Sequence, residues 1–211
     1  MPEFYQFRDK KQAPWTYPLL DQFQKNRVKD IAAGKPGALI LSELAPVVTL
    51  GKRVDINQFS EINKKIKLYQ ADRGGFETYH GPGQWVLFVV DSVEKITGDT
   101  KGVKKAVDML LGLAQDVTSE FGVSTSLGQG DRLGVWTSKG KIASVGVSVK
   151  HGVLLHGLSI NVFQTQESFY GIQPCGLDAQ PDYLIKSQCD REFTQVGEML
   201  KKKALEKFFD L

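Results

Sequence analysis

The sequence predicts an α+β fold: a mixed, largely antiparallel β-sheet flanked by α-helices. Three observations carry the prediction. Apolar residues recur at helical spacing near both ends of the chain and once in its middle. Short continuous apolar runs of strand length lie between these segments. A glycine-containing turn joins two of the later runs at hairpin spacing.

In chain order, Tyr17, Leu20, Phe23 and Ile31 mark an amphipathic helix closed by Gly34 and Pro36. Gly37–Leu44 and Pro46–Leu50 read as buried strands, and Trp85–Val90 as a third. Thr100 is placed to cap a helix whose apolar face is Val103, Val107, Leu110, Ala114, Val117 and Phe121, with Gly122 ending it. Arg132–Trp136, Lys141–Val149 and Leu154–Val162 follow as strands, with Ser138-Lys139-Gly140 turning between the first two. Phe193, Val196, Leu200, Ala204 and Phe208 share one face of a final helix. Lys201, Lys202 and Lys203 read as its solvated side rather than a nucleic-acid patch. No repeat or Pro/Ser/Gly-rich linker divides the chain, so residues 1–211 are expected to form one domain.

Composition narrows the classes. With 41 % hydrophobic and 24 % charged residues the chain is ordinary globular protein, not disordered, collagen-like or a coiled-coil rod. A formal charge of +3 does not argue for nucleic acid and is compatible with an acidic protein partner. Two cysteines, Cys175 and Cys189, make no disulfide framework and no zinc-type pair, which favours a reducing compartment. The N-terminal stretch is not signal-like, and the longest apolar run, Trp85–Val90, is far short of the ~20 residues a membrane helix needs. A cytoplasmic protein with no membrane association is expected.

Four segments hold candidate chemistry. Arg73–Gln84 (RGGFETYHGPGQ) packs four glycines with Arg73, Tyr79, His80 and Gln84. Glycines let backbone approach a ligand closely, yet the same segment reads equally as an ornate turn with a structural histidine, and it is not a P-loop. Lys141 opens the strand after the turn at Gly140. It matters only beside a nucleophile, where its ammonium favours a thiolate and its neutral amine can carry a proton. Gly171–Leu177 (GIQPCGL) frames Cys175 between Pro174 and Gly176, which suits an accessible sulfur with backbone N–H groups beside it. The competing reading is an inert buried thiol. Cys189, between Gln188 and Asp190, has no such frame. In His156–Val162 (HGLSINV), Asn161 is a polar residue in apolar company and needs a partner if buried.

In this order, RGGFETYHGPGQ, GVWTSKGKIASVGVSV, HGLSINV and GIQPCGL resemble the lipoyl(octanoyl) transferases of lipoate synthesis, the LipB type of octanoyltransferase. APVVTLGKR (Ala45–Arg53) is similar to an early signature of the same family. The resemblance implies the biotin/lipoate protein ligase-like fold. It implies transfer of octanoyl from acyl carrier protein to a lysine of lipoyl domains, in 2-oxoacid dehydrogenases and the glycine cleavage H protein. The family's P-C-G cysteine falls on Cys175, the acyl-thioester nucleophile, and its K-I-A lysine on Lys141, the acid and base. Its acyl pocket falls on Arg73, Gly74, Gly75, Phe76, Glu77, Thr78, Tyr79 and His80, on Ser144, Val145 and Gly146, and on Gly157, Leu158 and Ser159. No cofactor or metal is implied. The chain departs from the pattern at Ser159, where alanine is more usual, and at Trp85, where a smaller aliphatic is usual. It also departs after Leu177, where DAQPDYLIKS lacks an expected Thr-Ser pair. An ATP-dependent lipoate ligase, an amidotransferase between lipoyl domains and a non-catalytic lipoyl-domain binding module are the alternatives.

The small residues of the pocket blocks are expected to leave a groove for the alkyl chain, with Gly157 chief among them.

Overall fold

Strands without polar alternation must be covered on both faces, and the chain supplies that cover with three long helices and a second, smaller sheet. In the computed structural model, residues 1–7, 15–56, 66–166, 168 and 180–211 are described. Their elements are β1 (Glu3–Phe7), α1 (Tyr17–Ala32), β2 (Ala38–Ser42), β3 (Val47–Leu50), β4 (Lys67–Gln70), β5 (Glu77–His80), β6 (Gln84–Val90) and α2 (Val93–Thr97). There follow α3 (Val103–Glu120), β7 (Ser126–Gly128), β8 (Gly134–Trp136), β9 (Lys141–Lys150), β10 (Val153–Asn161) and α4 (Asp190–Phe209). A seven-stranded sheet has the order β1-β2-β6-β10-β9-β8-β7, and a three-stranded sheet the order β4-β3-β5. Only β1–β2 and β3–β4 pair in parallel; every other pair of neighbours in the two sheets is antiparallel. The α+β class is thus as the sequence predicts.

Period-two alternation sorts the apolar residues of the main sheet between two cores. Leu39, Leu41, Leu87 and Val89 pack with Leu110, Leu113 and Val117 of α3 and with Phe193, Val196 and Leu200 of α4. Ala38, Ile40, Val86, Phe88 and Val90 point the other way, onto Tyr17, Leu20, Val28 and Ile31 of α1. Val47 of β3 and Ala71 after β4 join that second core, so the small sheet lies on the α1 side.

All five residues predicted for the last helix face are buried. Its lysines are less free than expected: Lys203 pairs with Glu120 at 2.9 Å, and Lys201 Nζ lies 3.9 Å from the centroid of the Phe4 ring. Helix α3 starts later than the Thr100 cap would have it. Gly102 is the N-cap and no side chain caps the helix. A Cβ at Gly102 would collide with Thr97 Oγ1, so the tight approach demands glycine there and Thr100 is displaced from the cap. The buried stripe of α3 includes Ala106, Leu111, Leu113 and Thr118, while Val103, Val107 and Phe121 are only half-buried. The Arg73–Gln84 segment is not a single loop either: Glu77–His80 forms β5 against β3, and Gln84 opens β6. Among the described residues no helix is long and apolar enough to cross a membrane.

Candidate functional site

The three pocket blocks meet on the α1-facing side of β9, β10 and β6. Cross-strand pairing sets Ser144 beside Ser159 and Val86, and Gly146 beside Gly157 and Phe88. Over these pairs lies a narrow cavity of about 30 Å³, lined also by Arg73, Thr78, Val145, Leu158, Tyr17, His80 and His156. Arg73, Thr78, Ser144, Val145 and Gly146 line, in addition, a wider cavity of about 240 Å³ that reaches Lys141, Gly74, Gly75 and Phe76. The two therefore share walls, with Lys141 lining the wider one and Tyr17 and His80 the narrower one. Glu77 and Tyr79, also named from sequence, are buried in β5 but line neither cavity.

Lys141 is buried at the first position of β9. Its Nζ donates to the Leu133 carbonyl at 2.7 Å and stands 5.5 Å from the Trp136 ring centroid. A Cβ on Gly134 would collide with the lysine side chain, so the glycine of β8 makes room for it. The Lys141 backbone is tied down as well. Its N–H donates to Gln180 and its carbonyl accepts from Asp182 N–H, both at 2.9 Å. Cys175 lies outside the described residues, as does the rest of Gly171–Leu177. Cys189 immediately precedes α4, as its N-cap, and is half-buried.

Asn161 finds the partners that its burial requires. Its Nδ2 donates to the carbonyls of Lys141 at 3.1 Å and Asp182 at 3.2 Å, and its Oδ1 accepts from Gln84 Nε2 at 2.9 Å. Because Gln84 Nε2 is a donor there, Gln84 Oε1 is the acceptor facing His80 Nδ1 at 2.7 Å. His80 therefore carries a proton on Nδ1. Burial pushes its pKa down to about 3; the Gln84 hydrogen bond opposes this and the Arg73 charge reinforces it. A chain of buried hydrogen bonds thus links His80 to the backbone of Lys141. Arg73 is likewise structural in its bonding: it donates to the carbonyls of Thr49, Gly74 and Phe76 and to Thr49 Oγ1, which fixes the glycine turn.

Two sequence expectations change here. A Cβ at Gly157 would collide with the Leu87 carbonyl oxygen, so this glycine answers to the neighbouring strand's backbone and not to an open groove. At Gly146 a Cβ would meet Arg73 Cδ at 3.1 Å, so the space beside it is occupied by the Arg73 side chain. Trp85 does not touch either cavity. Its indole stacks on Phe193 at 4.5 Å and donates to the Phe193 carbonyl at 2.8 Å, on the opposite face of the sheet.

His156 is the functional-region residue whose surroundings the sequence hid. Its backbone is left-handed, φ 64°, and the break in alternation turns both Leu155 and His156 toward α1. Gln24 accepts from the His156 N–H at 2.8 Å and offers its Nε2 to Nδ1 at 2.9 Å. Nδ1 is then an acceptor, and Nε2–H donates to Asp72 at 2.7 Å. That hydrogen bond is the main cause holding the Asp72 carboxyl down at about 2, against partial burial. His156, Asp72 and Asp21 bring ligand atoms within 4.8 Å of one another. Lys25 Nζ already bridges the two carboxylates, 2.5 Å from Asp21 and 3.6 Å from Asp72, so the cluster carries its own cation.

The mixed sheet thus carries a buried lysine beside a pair of narrow, partly apolar cavities. The model of the lipoyl protein ligase A/B catalytic domain matches residues 19–210, and the chain belongs to that family. It is 39 % identical over 170 residues to an octanoyltransferase of Magnetococcus marinus, spanning 79 % of this chain and 76 % of that one. It is 34 % identical over 187 residues to an octanoyltransferase of Alkaliphilus metalliredigens, spanning 86 % and 76 %. The enzyme is accordingly an acyltransferase of lipoate biosynthesis. Among solved structures, protein Ta0514 of T. acidophilum with bound lipoic acid superimposes with a TM-score of 0.70 at 12 % identity, covering 98 % of this chain and 85 % of that one. Lipoate-protein ligase A bound with ATP superimposes at 0.59 with 13 % identity, covering 96 % and 95 %. At these identities both show the shared fold.

Proposed function

We propose that the protein takes an octanoyl group from acyl carrier protein onto Cys175 and passes it to a lysine of lipoyl domains, those of 2-oxoacid dehydrogenases and of the glycine cleavage H protein. The observation that carries this reading is the pair of adjoining cavities, one reaching Lys141 and the other Tyr17, lined by the three blocks that resemble the octanoyltransferase pocket.

In the first step the Cys175 thiolate attacks the donor thioester carbonyl. The carbon–sulfur bond to the carrier breaks, and Lys141 protonates the departing carrier thiolate. In the second step the acceptor lysine amine attacks the acyl-enzyme. An amide forms, the Cys175 thiolate leaves, and Lys141 collects the amine proton. Two features support the role of Lys141. Gly134, Leu133 and Trp136 hold its side chain, and Asn161 with Gln84 fixes its backbone, so the amine is presented from a rigid strand rather than a loop. The Lys141 N–H also donates to the Gln180 carbonyl, which ties the strand at its first residue to the segment that follows Cys175 in sequence. A thioester donor and an amide product make the transfer downhill without ATP.

Intact mass after incubation with octanoyl-acyl carrier protein tests the reading. One octanoyl adduct is expected, lost in Cys175→Ala and kept in Cys189→Ala. An adduct retained in Cys175→Ala, or an absolute need for ATP, refutes it.

A further inference from the structure

Among the described residues Tyr17 is the one that lines both the inner cavity of about 30 Å³ and a separate cavity of about 660 Å³ beside the start of α1. That larger cavity is walled mainly by apolar groups, among them Pro18, Val47, Leu68 and Tyr69. The Tyr17 ring is 1 % exposed and is held on several sides. It stacks on His80 at 5.5 Å and on His156 at 6.4 Å, near-parallel to both, and meets the edge of Phe88 at 6.1 Å. Its hydroxyl lies 3.2 Å from His156 Nδ1. His156 in turn is clamped by Gln24 and Asp72, and His80 by Gln84. The wall is therefore rigid, because both histidine rings are fixed by hydrogen bonds outside the stack.

We infer that Tyr17, braced by His80 and His156, is the stop that sets acyl-chain length, and that the cavity behind it accepts the tail of a longer chain once the ring is removed. The inference rests on the acyl-binding reading above. From β9 across β10 to β6 is two strand spacings, about 10 Å, which is the span of an extended eight-carbon chain. The inner cavity at that point holds roughly two waters' volume, so it admits the end of such a chain and no more. The space beyond is mainly apolar and ample, and among the described residues Tyr17 alone borders both cavities.

The test is binding of free octanoate and dodecanoate by calorimetry, read as the ratio of the two affinities within each protein, so that differences in folded fraction cancel. The native protein should favour octanoate. Tyr17→Ala should raise the dodecanoate-to-octanoate ratio tenfold or more, since each added methylene then leaves water for the rear cavity. Tyr17→Phe keeps the ring and should keep the ratio. Adding Val47→Phe to Tyr17→Ala refills the rear cavity and should return the ratio toward the native value. Should Tyr17→Ala not fold, Tyr17→Leu carries the same test with more of the volume retained. An unchanged ratio in a folded Tyr17→Ala or Tyr17→Leu overturns the stop. A raised ratio that Val47→Phe fails to lower overturns the rear cavity as its extension. Fatty-acid binding needs no thiol chemistry. Absence of an octanoyl adduct on Cys175 with the expected ratios would fail the transfer mechanism alone, and normal acylation with unchanged ratios would fail the stop alone.

Discussion

Lowering the pH from 7 to 5 should destabilise this fold through one side chain, His80. Its folded pKa is about 3, because burial in the core beside Arg73 disfavours the imidazolium, and an unfolded histidine titrates near 6.5. The unfolded chain therefore binds more protons than the native one between these values, and stability rises with pH across that window. The contribution is fully present above about pH 6.5 and is lost as pH falls toward 3. Integrating the linkage gives a loss of about 2 kcal/mol from pH 7 to 5, and about 5 kcal/mol if the window could be followed to its lower end. Asp72 works in a different range. Its folded carboxyl, near 2, lies below the usual value, so its contribution is present above about pH 4 and fades only below it; being partly exposed, it is also worth less than its shift suggests.

The measurement is urea unfolding of the native protein and His80→Gln at pH 7, 6 and 5. A glutamine amide can still donate to Gln84 Oε1, so the substitution removes the titration and the stacking on Tyr17 while keeping a donor. Lost stacking is a constant offset; only the titration changes with pH. The gap between the two proteins should close by about 2 kcal/mol between pH 7 and 5. Parallel pH curves would refute the neutral, buried imidazole.

Substitutions at three further residues test the site and the sheet that carries it. Lys141→Ala should leave the fold intact and slow acylation by about 10²–10⁴-fold in single-turnover mass measurements, and Lys141→Arg should be poor as well because a guanidinium does not release a proton at neutral pH. Gly157→Ala should cost about 1–3 kcal/mol in denaturant unfolding, because the added methyl drives β10 off the Leu87 carbonyl, and it should slow octanoyl and butanoyl donors alike. A selective loss of octanoyl transfer would restore the open-groove reading of this glycine. Trp85→Phe keeps the stack on Phe193 but removes the indole N–H bond to the Phe193 carbonyl, which should cost about 0.5–1.5 kcal/mol of stability with no change in acyl preference.

What was legible in the sequence divides along physical lines. Buried strands and amphipathic helices announce themselves through local periodicity, so β2, β3, β6, β9, β10 and the faces of α1 and α4 could be read from it. The elements that escaped carry little of that signal. β4 is an edge strand with both ends exposed, β7 is short, and β5 sits among glycines whose turn chemistry masks four paired residues. The pocket blocks were legible as ordered motifs, and the structure brings most of them around one cleft. The reason for each glycine was not, because a missing Cβ means the same in sequence whether it yields to a ligand, to the Leu87 carbonyl as at Gly157, or to a lysine stem as at Gly134. Only the opposing atom decides, and that atom is more than sixty residues away at Gly157 and seven at Gly134.

The braces of the cleft are the least legible part, and the cause is the same. Gln24, Asp72 and Tyr17 meet at His156 from residues 132, 84 and 139 positions away. No local pattern distinguishes Gln24 from the other polar residues of α1; what singles it out is that His156 adopts a left-handed backbone whose N–H and ring both need a partner at that spot. A left-handed non-glycine residue costs of order 1–3 kcal/mol and persists only when its surroundings hold it. Here the surroundings are one amide that bonds the main chain and the ring together, and one carboxylate that fixes the far nitrogen. The strain buys ring placement: with alternation broken at His156, its imidazole faces α1 and supports Tyr17 at the inner end of the cleft, where an ordinary strand residue would have pointed into the α3–α4 core with Leu154 and Leu158.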